Sequence, residues 1–261
     1  MSEMPAHARA SVPPSRAPMA VTGMAGLFPG ANDVDAYWTR ILSAQSAPLD
    51  SQQQRWGLPR ERYLGTVGQA DRAYADAAFN INVPEGGAHD PQVRAGRWAV
   101  EAALADAARQ GTVLARQEIA LVAATSWSAP SYFGHDASQL CGLPAPAGPA
   151  HSPQVQLAAL AQGLGGPLLA VDTACASSLY GLELAAGLLE SGQAKAVVVL
   201  GLNVLMPPFL FVGFSKLMAL SPQSRIAPFA SDASGIVPGE CAAALVLEPL
   251  AAARAAGRRV A

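Results

Sequence analysis

Four short runs that are apolar throughout, "EIALVAATS", "PLLAV", "AKAVVVLGLN" and "CAAALVLEPL", alternate along the chain with segments of helical spacing. A strand apolar on both faces must be covered on both faces, and helices between such strands imply a largely parallel sheet with helical layers. The fold class predicted is therefore α/β. An earlier run, "MAVTGMAGLFPG", reads as a fifth buried strand closed by a Gly/Pro turn, and "DVDAYWTRILSA" follows as a helix capped by Asp33. "DPQVRAGRWAVEAALADAARQG" carries the clearest helix signature, with Asp90 as cap, Pro91 at the first position and Gly111 as stop. A further helix is predicted over roughly 154–162. Residues 44–92 keep no period and read as an extended surface excursion, ordered only if something packs on it. The segment between "AKAVVVLGLN" and "CAAALVLEPL" reads as long and irregular.

The chain has 261 residues, 51% of them hydrophobic and 14% charged, enough for a sizeable core. Its net charge of -2 is spread evenly, which argues against a nucleic-acid or anionic-membrane partner. No apolar run approaches the roughly 18 residues of a membrane span. Three widely spaced cysteines with no CxxC, and a Pro-containing first stretch without an apolar core, fit a reducing cytoplasm and a disordered lead over 1–19. No cysteine pair has ligand spacing, so no metal is expected. No G-x-S-x-G and no G-x-G-x-x-G after a strand are present; "GLGG" at 163–166 reads as a loop. No thiol-protease signature surrounds Cys175.

One cysteine stands out. In "LLAVDTACASSLYGLELAAGLLESG", Cys175 falls between a strand and a helix, where unpaired N–H groups and the helix dipole favour a thiolate. Position alone leaves two readings open, an activated nucleophile and a small buried hydrophobe. Leu179, Leu182 and Leu188 of the following helix are spaced to face the core.

"VDTACASSLYGLELA" resembles the active-site segment of β-ketoacyl synthases, the condensing enzymes of fatty acid and polyketide assembly. "VTGMAGLFPGANDVDAYWTRILSA", "DPQVRAGRWAVEAALADA" and "VGFSKLMALSPQSRIAPFASDASGIVPGECAAALVLEPL" resemble further segments of the modular type, in order from about residue 20. The resemblance implies the N-terminal half of a thiolase-like fold over 20–261, with a five-stranded mixed sheet whose last strand opposes its neighbour and a centrally buried helix after Cys175. It implies Cys175 as the acyl-accepting nucleophile of a decarboxylative Claisen condensation. The acyl donor would be an acyl carrier protein, which brings its own phosphopantetheine, so no dissociable cofactor is expected, and acyl and malonyl thioesters would be the substrates. Phe214, with Phe209 and Phe211, is a candidate for the acyl pocket, and a plain hydrophobic contact role stands beside it.

The family's second half supplies two histidines, in His-Gly-Thr-Gly-Thr and Asn-x-Gly-His segments. "AAGRRVA" falls about where that half begins, and His7, His89, His135 and His151 match neither segment. Full condensation is accordingly not expected from this chain alone. A homodimer or pairing with a second synthase half is expected, and a structural or interaction role is the alternative to an enzyme. Two acids usual in the family are absent: Ala230 stands after Pro228-Phe229, and Ser234 stands between Ala233 and Gly235. The two absences imply either a looser loop or a divergent lineage. Cys241 occupies the last position of a usual Gly-Glu-Gly, and Ala176 follows the nucleophile where Ser is common.

Overall fold

The computed structural model describes residues 17–86, 90–109, 111, 113–126 and 152–261, with Gln54 by its backbone alone. β1 (Met19–Leu27) leads through a turn to α1 (Val34–Leu42), whose first turn is closed by the Ala36 N–H donating to the Asp33 carboxylate at 2.7 Å. Met19 thus belongs to a strand, one residue inside the stretch expected to be a lead. Then come β2 (Asp50–Ser51), α2 (Gln53–Trp56), α3 (Arg60–Tyr63), β3 (Ala77–Ala78) and α4 (Pro91–Ala107). After α4 follow β4 (Ile119–Ala124), α5 (Pro153–Leu160), β5 (Leu168–Val171), α6 (Ser177–Glu190), β6 (Ala196–Asn203), α7 (Pro208–Lys216), β7 (Cys241–Pro249) and α8 (Leu250–Ala255).

The main sheet runs β1-β7-β6-β4-β5. β4 pairs in parallel with β5 and β6, while β7 lies antiparallel to both β6 and β1. Four strands therefore point one way and the last opposes them, as the mixed five-stranded sheet required. The two-residue periodicity of β6 and β7 divides the core. Val198, Leu200 and Leu202 with Ala242, Ala244 and Val246 face α4 and its Val93, Val100 and Leu104. Val197, Val199 and Leu247 face the other way, toward Ala185, Leu188 and Leu189 of α6. Each Leu or Val buried this way contributes about 1.5–3 kcal/mol.

Close backbone approach decides where α4 sits. A Cβ at Gly23, beside an irregularity in the β1–β7 register, would fall 2.3 Å from the Ala103 carbonyl oxygen of α4. α4 ends at Ala107, ahead of the expected stop at Gly111. Gly111 has φ +82°, and a Cβ there would come within 2.4 Å of the Ala256 carbonyl, so that glycine serves the contact with the chain after α8. That terminal stretch is tied back by a buried ion pair, Arg258 to Glu248 at 2.8 Å, and Glu248 also accepts the Thr22 hydroxyl at 2.7 Å.

The expected surface excursion over 44–92 is instead built into a third core. Ala73, Ala78, Met206, Phe211 and Leu220 are buried there, and Trp56 packs edge-on against Tyr63 and Phe211. Asp76 holds the segment from within, accepting from Ser51, Arg60 and Tyr63 at 2.8–2.9 Å. Elements of two to four residues are too short to express a period, which is why sequence patterning shows none. The irregular stretch before β7 likewise contains α7. Its start has no side-chain cap, and the Pro207-Pro208 pair reads as a turn although Pro208 occupies a position where its missing N–H costs nothing. Among the described residues no helix is long and apolar enough to cross a membrane.

Candidate active site

The carboxyl ends of β4, β5 and β6 and the amino end of β7 meet at one edge of the sheet, where open α/β sheets place their ligand crevices. The turn carrying Cys175 leaves β5 at this edge. Asp172 and Thr173 lead into a single 3-10 turn, Ala174–Ala176, and α6 starts directly after it. Ala174 has φ +52°, a left-handed conformation that costs a residue with a Cβ about 1 kcal/mol or more.

Side chains on either side hold that conformation. The Ala174 N–H donates to the Asp172 carboxylate at 3.0 Å, and the Ala174 carbonyl accepts the Ser177 hydroxyl at 2.8 Å. Ser177 Oγ in turn accepts the Thr173 N–H at 2.9 Å. Cys175 is exposed on the turn so made. Ala176 stands at the cap of α6 with no side-chain cap bond, and the Ser177 N–H donates to the Ala174 carbonyl, so the 3-10 turn runs directly into the helix.

Cys175 opens onto a cleft of about 850 Å³. Val199 and Gly201 of β6 and Ala243 of β7 form its floor, Leu182 of α6 one wall, and Leu210 and Phe214 of α7 another. The lining is mainly hydrocarbon, suited to an apolar chain whose reactive end lies at the thiol. Of the three phenylalanines, Phe214 lines this cleft, Phe211 is fully buried in the third core and Phe209 is largely exposed.

The helix after Cys175 is buried along one side, not centrally as expected. Its inner face is Gly181, Ala185, Ala186, Leu188 and Leu189, and a Cβ at Gly181 would lie 3.0 Å from Val199 Cγ1. Leu188 faces the core as its spacing required, Leu182 reaches the cleft, and Leu179 is 67% exposed. Small residues at Gly181, Ala185 and Ala186 let the helix approach the sheet, and Leu188 and Leu189 complete the contact face. Leu179, Tyr180 and Leu184 are left exposed together on the outer side.

Cys241 also lines the cleft, and burial pushes its thiol up to about 11. Cys141 and all four histidines, His7, His89, His135 and His151, lie outside the described residues. The loop expected to be loose is braced by other groups. Ser234, at one of the positions where an acid is usual, bonds Gln223 at 2.6 Å and Ser221 at 3.1 Å, and Arg225 pairs with Asp232. Asp172 and Ser177 fix the thiol turn, and Glu240 the cleft wall, through hydrogen bonds that sequence alone does not assign. A single acid opening the apolar run "GECAAALVLE" was the available signal for Glu240.

A family model described as "Beta-ketoacyl synthase, N-terminal domain" matches residues 16–253. Polyketide synthase ThaG of Burkholderia thailandensis is 35% identical over 246 residues, covering 92% of this chain and 4% of that protein. The highly reducing polyketide synthase ausV of Aspergillus calidoustus is 30% identical over 268 residues, covering 93% of this chain and 10% of that protein. Among solved structures, the oxazolomycin ketosynthase domain OzmH KS7 of Streptomyces albus JA3453 superposes with a TM-score of 0.79 at 24% identity, over 93% of this chain and 45% of that one. A ketosynthase from module 6 of the bacillaene synthase of Bacillus subtilis 168 gives a TM-score of 0.74 at 25% identity, over 93% and 42%. The chain therefore spans a small part of these relatives and under half of each solved ketosynthase.

Proposed function

The chain belongs to the β-ketoacyl synthase family through its N-terminal domain, and from that premise we propose that Cys175 accepts the acyl group in polyketide assembly. The observation that carries this reading is an exposed thiol, on a turn braced by Asp172 and Ser177, opening onto an apolar cleft. The thiolate attacks the carbonyl carbon of an acyl thioester. A new C–S bond forms to Cys175, the donor's C–S bond breaks, and the carrier's thiolate leaves and takes up a proton. The amino end of α6 follows the Cys175 turn directly, and its dipole favours the negative charge that develops on the carbonyl oxygen during that exchange. The donor is an acyl carrier protein bearing the acyl group on its phosphopantetheine arm.

Condensation asks for more. Loss of CO2 from a malonyl thioester leaves an enolate that needs hydrogen-bond donors, each commonly worth about a hundredfold or more in rate. The residues of this N-terminal domain carry the acyl-accepting thiol, and the step proposed for them is the acyl transfer. Incubation with an acyl carrier thioester, then with malonyl carrier, separates the steps when protein mass and CO2 are followed independently. A mass gain on Cys175 without CO2 is expected. CO2 release with a β-ketoacyl product would show decarboxylation groups within this chain, and neither signal would favour a structural or interaction role. The exposed Leu179, Tyr180 and Leu184 favour that second reading to the extent that they offer a surface for another synthase half or a second copy.

A further inference from the structure

We propose that Arg55 and Glu240 form a positioning pair that fixes the cleft wall made by residues 203–206 and 238–241, and so governs how the thioester arm is received beside Cys175. The inference rests on the acyl-transfer reading above. Glu240 is buried, with a fully enclosed carboxylate. One oxygen accepts the Arg55 guanidinium at 2.9 Å and the Ile81 N–H at 3.0 Å, and the other accepts the Leu205 N–H at 2.9 Å. Arg55 also donates to the Ile81 carbonyl at 2.8 Å.

Three separate segments therefore converge on one carboxylate. Leu205 is held at φ +55°, a rare state for a branched side chain that persists where surroundings over-determine it. On one side of it Asn203 Nδ2 donates to the Gly239 carbonyl at 3.0 Å; on the other, the Met206 carbonyl accepts Trp56 Nε1–H at 2.8 Å. Asn203, Met206, Gly239 and Cys241 all line the cleft. The adjacent residues Arg55 and Trp56 thus grip the wall at two points, from a segment that contributes nothing to the lining itself. Burial raises the Glu240 carboxyl, so the pair is held against a desolvation cost that its three donors offset in part.

The pair's hydrogen bonds run to Ile81 and Leu205 rather than into the turn at 172–177, so it should affect recognition of a long reagent and not the chemistry of the sulfur. The test uses the full chain and two alkylating probes of Cys175, iodoacetamide and bromoacetyl-pantetheine amide. Arg55→Met alone strands a buried carboxylate, so the deciding variant is Arg55→Met/Glu240→Leu, which removes both charges, with Arg55→Lys as the conservative control. The double variant is expected to keep its iodoacetamide rate and to need roughly tenfold or more of the pantetheine reagent for half-saturation, a scale typical of misplaced positioning groups. Arg55→Lys should fall between it and the parent. Unchanged half-saturation in a folded double variant would overturn the inference, as would a parent chain that shows no saturation with this reagent. Failure of acyl transfer itself is read separately, as absence of mass gain from an acyl thioester in the parent.

Discussion

The Ser177 hydroxyl donates to the Ala174 carbonyl at 2.8 Å while accepting the Thr173 N–H, so one side chain inside the first turn of α6 fastens the left-handed residue that precedes Cys175. The turn that presents Cys175 is fixed by the hydrogen bonds of its neighbours.

Ser177→Ala removes both bonds in a buried place. A stability loss of about 1–3 kcal/mol is expected, together with slower labelling of Cys175 by iodoacetamide as Ala174 relaxes. Thermal unfolding and peptide-mapped labelling check the two effects; unchanged labelling would mean the turn holds without this hydroxyl.

Cys175 and Cys241 should differ in their access to alkylating reagents. Cys175 is exposed, whereas burial pushes Cys241 up to about 11. Brief alkylation near neutral pH is expected to modify Cys175 first, with Cys241 following only as pH nears 11. Equal labelling of both at neutral pH in folded protein would count against the assignment of Cys175.

The same shift predicts how stability depends on alkali. A thiol that ionises near 9 in the unfolded chain and near 11 when folded contributes stability that is whole below about 9 and is lost as pH rises through 11. Tyr63, pushed up to about 12 by burial and by its bond to Asp76, acts in the same direction at higher pH. Cys241→Ala is expected to flatten the decline between pH 9 and 11 in denaturant titrations. A decline as steep as the parent's would assign it to other groups.

Gly23→Ala tests the packing of α4 on β1. A Cβ would lie 2.3 Å from the Ala103 carbonyl and 2.8 Å from Ala107 Cβ, both on a helix with nine buried residues. Overpacking of this kind costs about 1–3 kcal/mol, seen as a lowered Tm. Gly187→Ala, where nothing lies within 4 Å, is the matched control and should leave Tm unchanged or raise it.

Self-association is the expected behaviour of the chain at micromolar concentration. β5 is a half-exposed edge strand, and Leu179, Tyr180 and Leu184 stand exposed on the neighbouring helix. Light scattering should report species larger than a monomer, and Leu179→Glu should reduce both association and hydrophobic-dye binding. A monodisperse monomer that binds no dye would remove the case for a pairing surface here.

Much of this protein is legible in sequence because the inner strands β4 and β6 are buried on both sides. Runs such as "ALVAA" and "AVVVLGL" can be little else once turns and helical segments separate them, and Asp33, Asp90 and Pro91 mark helix starts through bonds within a few residues. Cys175 is legible for the same reason: its strand-turn-helix setting is local. What tertiary structure alone decided is everything that depends on distant partners. Residues 50–86 take their order from α7 and the β6–α7 turn, the inner face of α6 is chosen by how closely Gly181 can approach Val199, and Glu240 finds its three donor residues at positions 55, 81 and 205. A buried carboxylate is stable only where several donors converge on it, and convergence across such separations is a property of the folded chain.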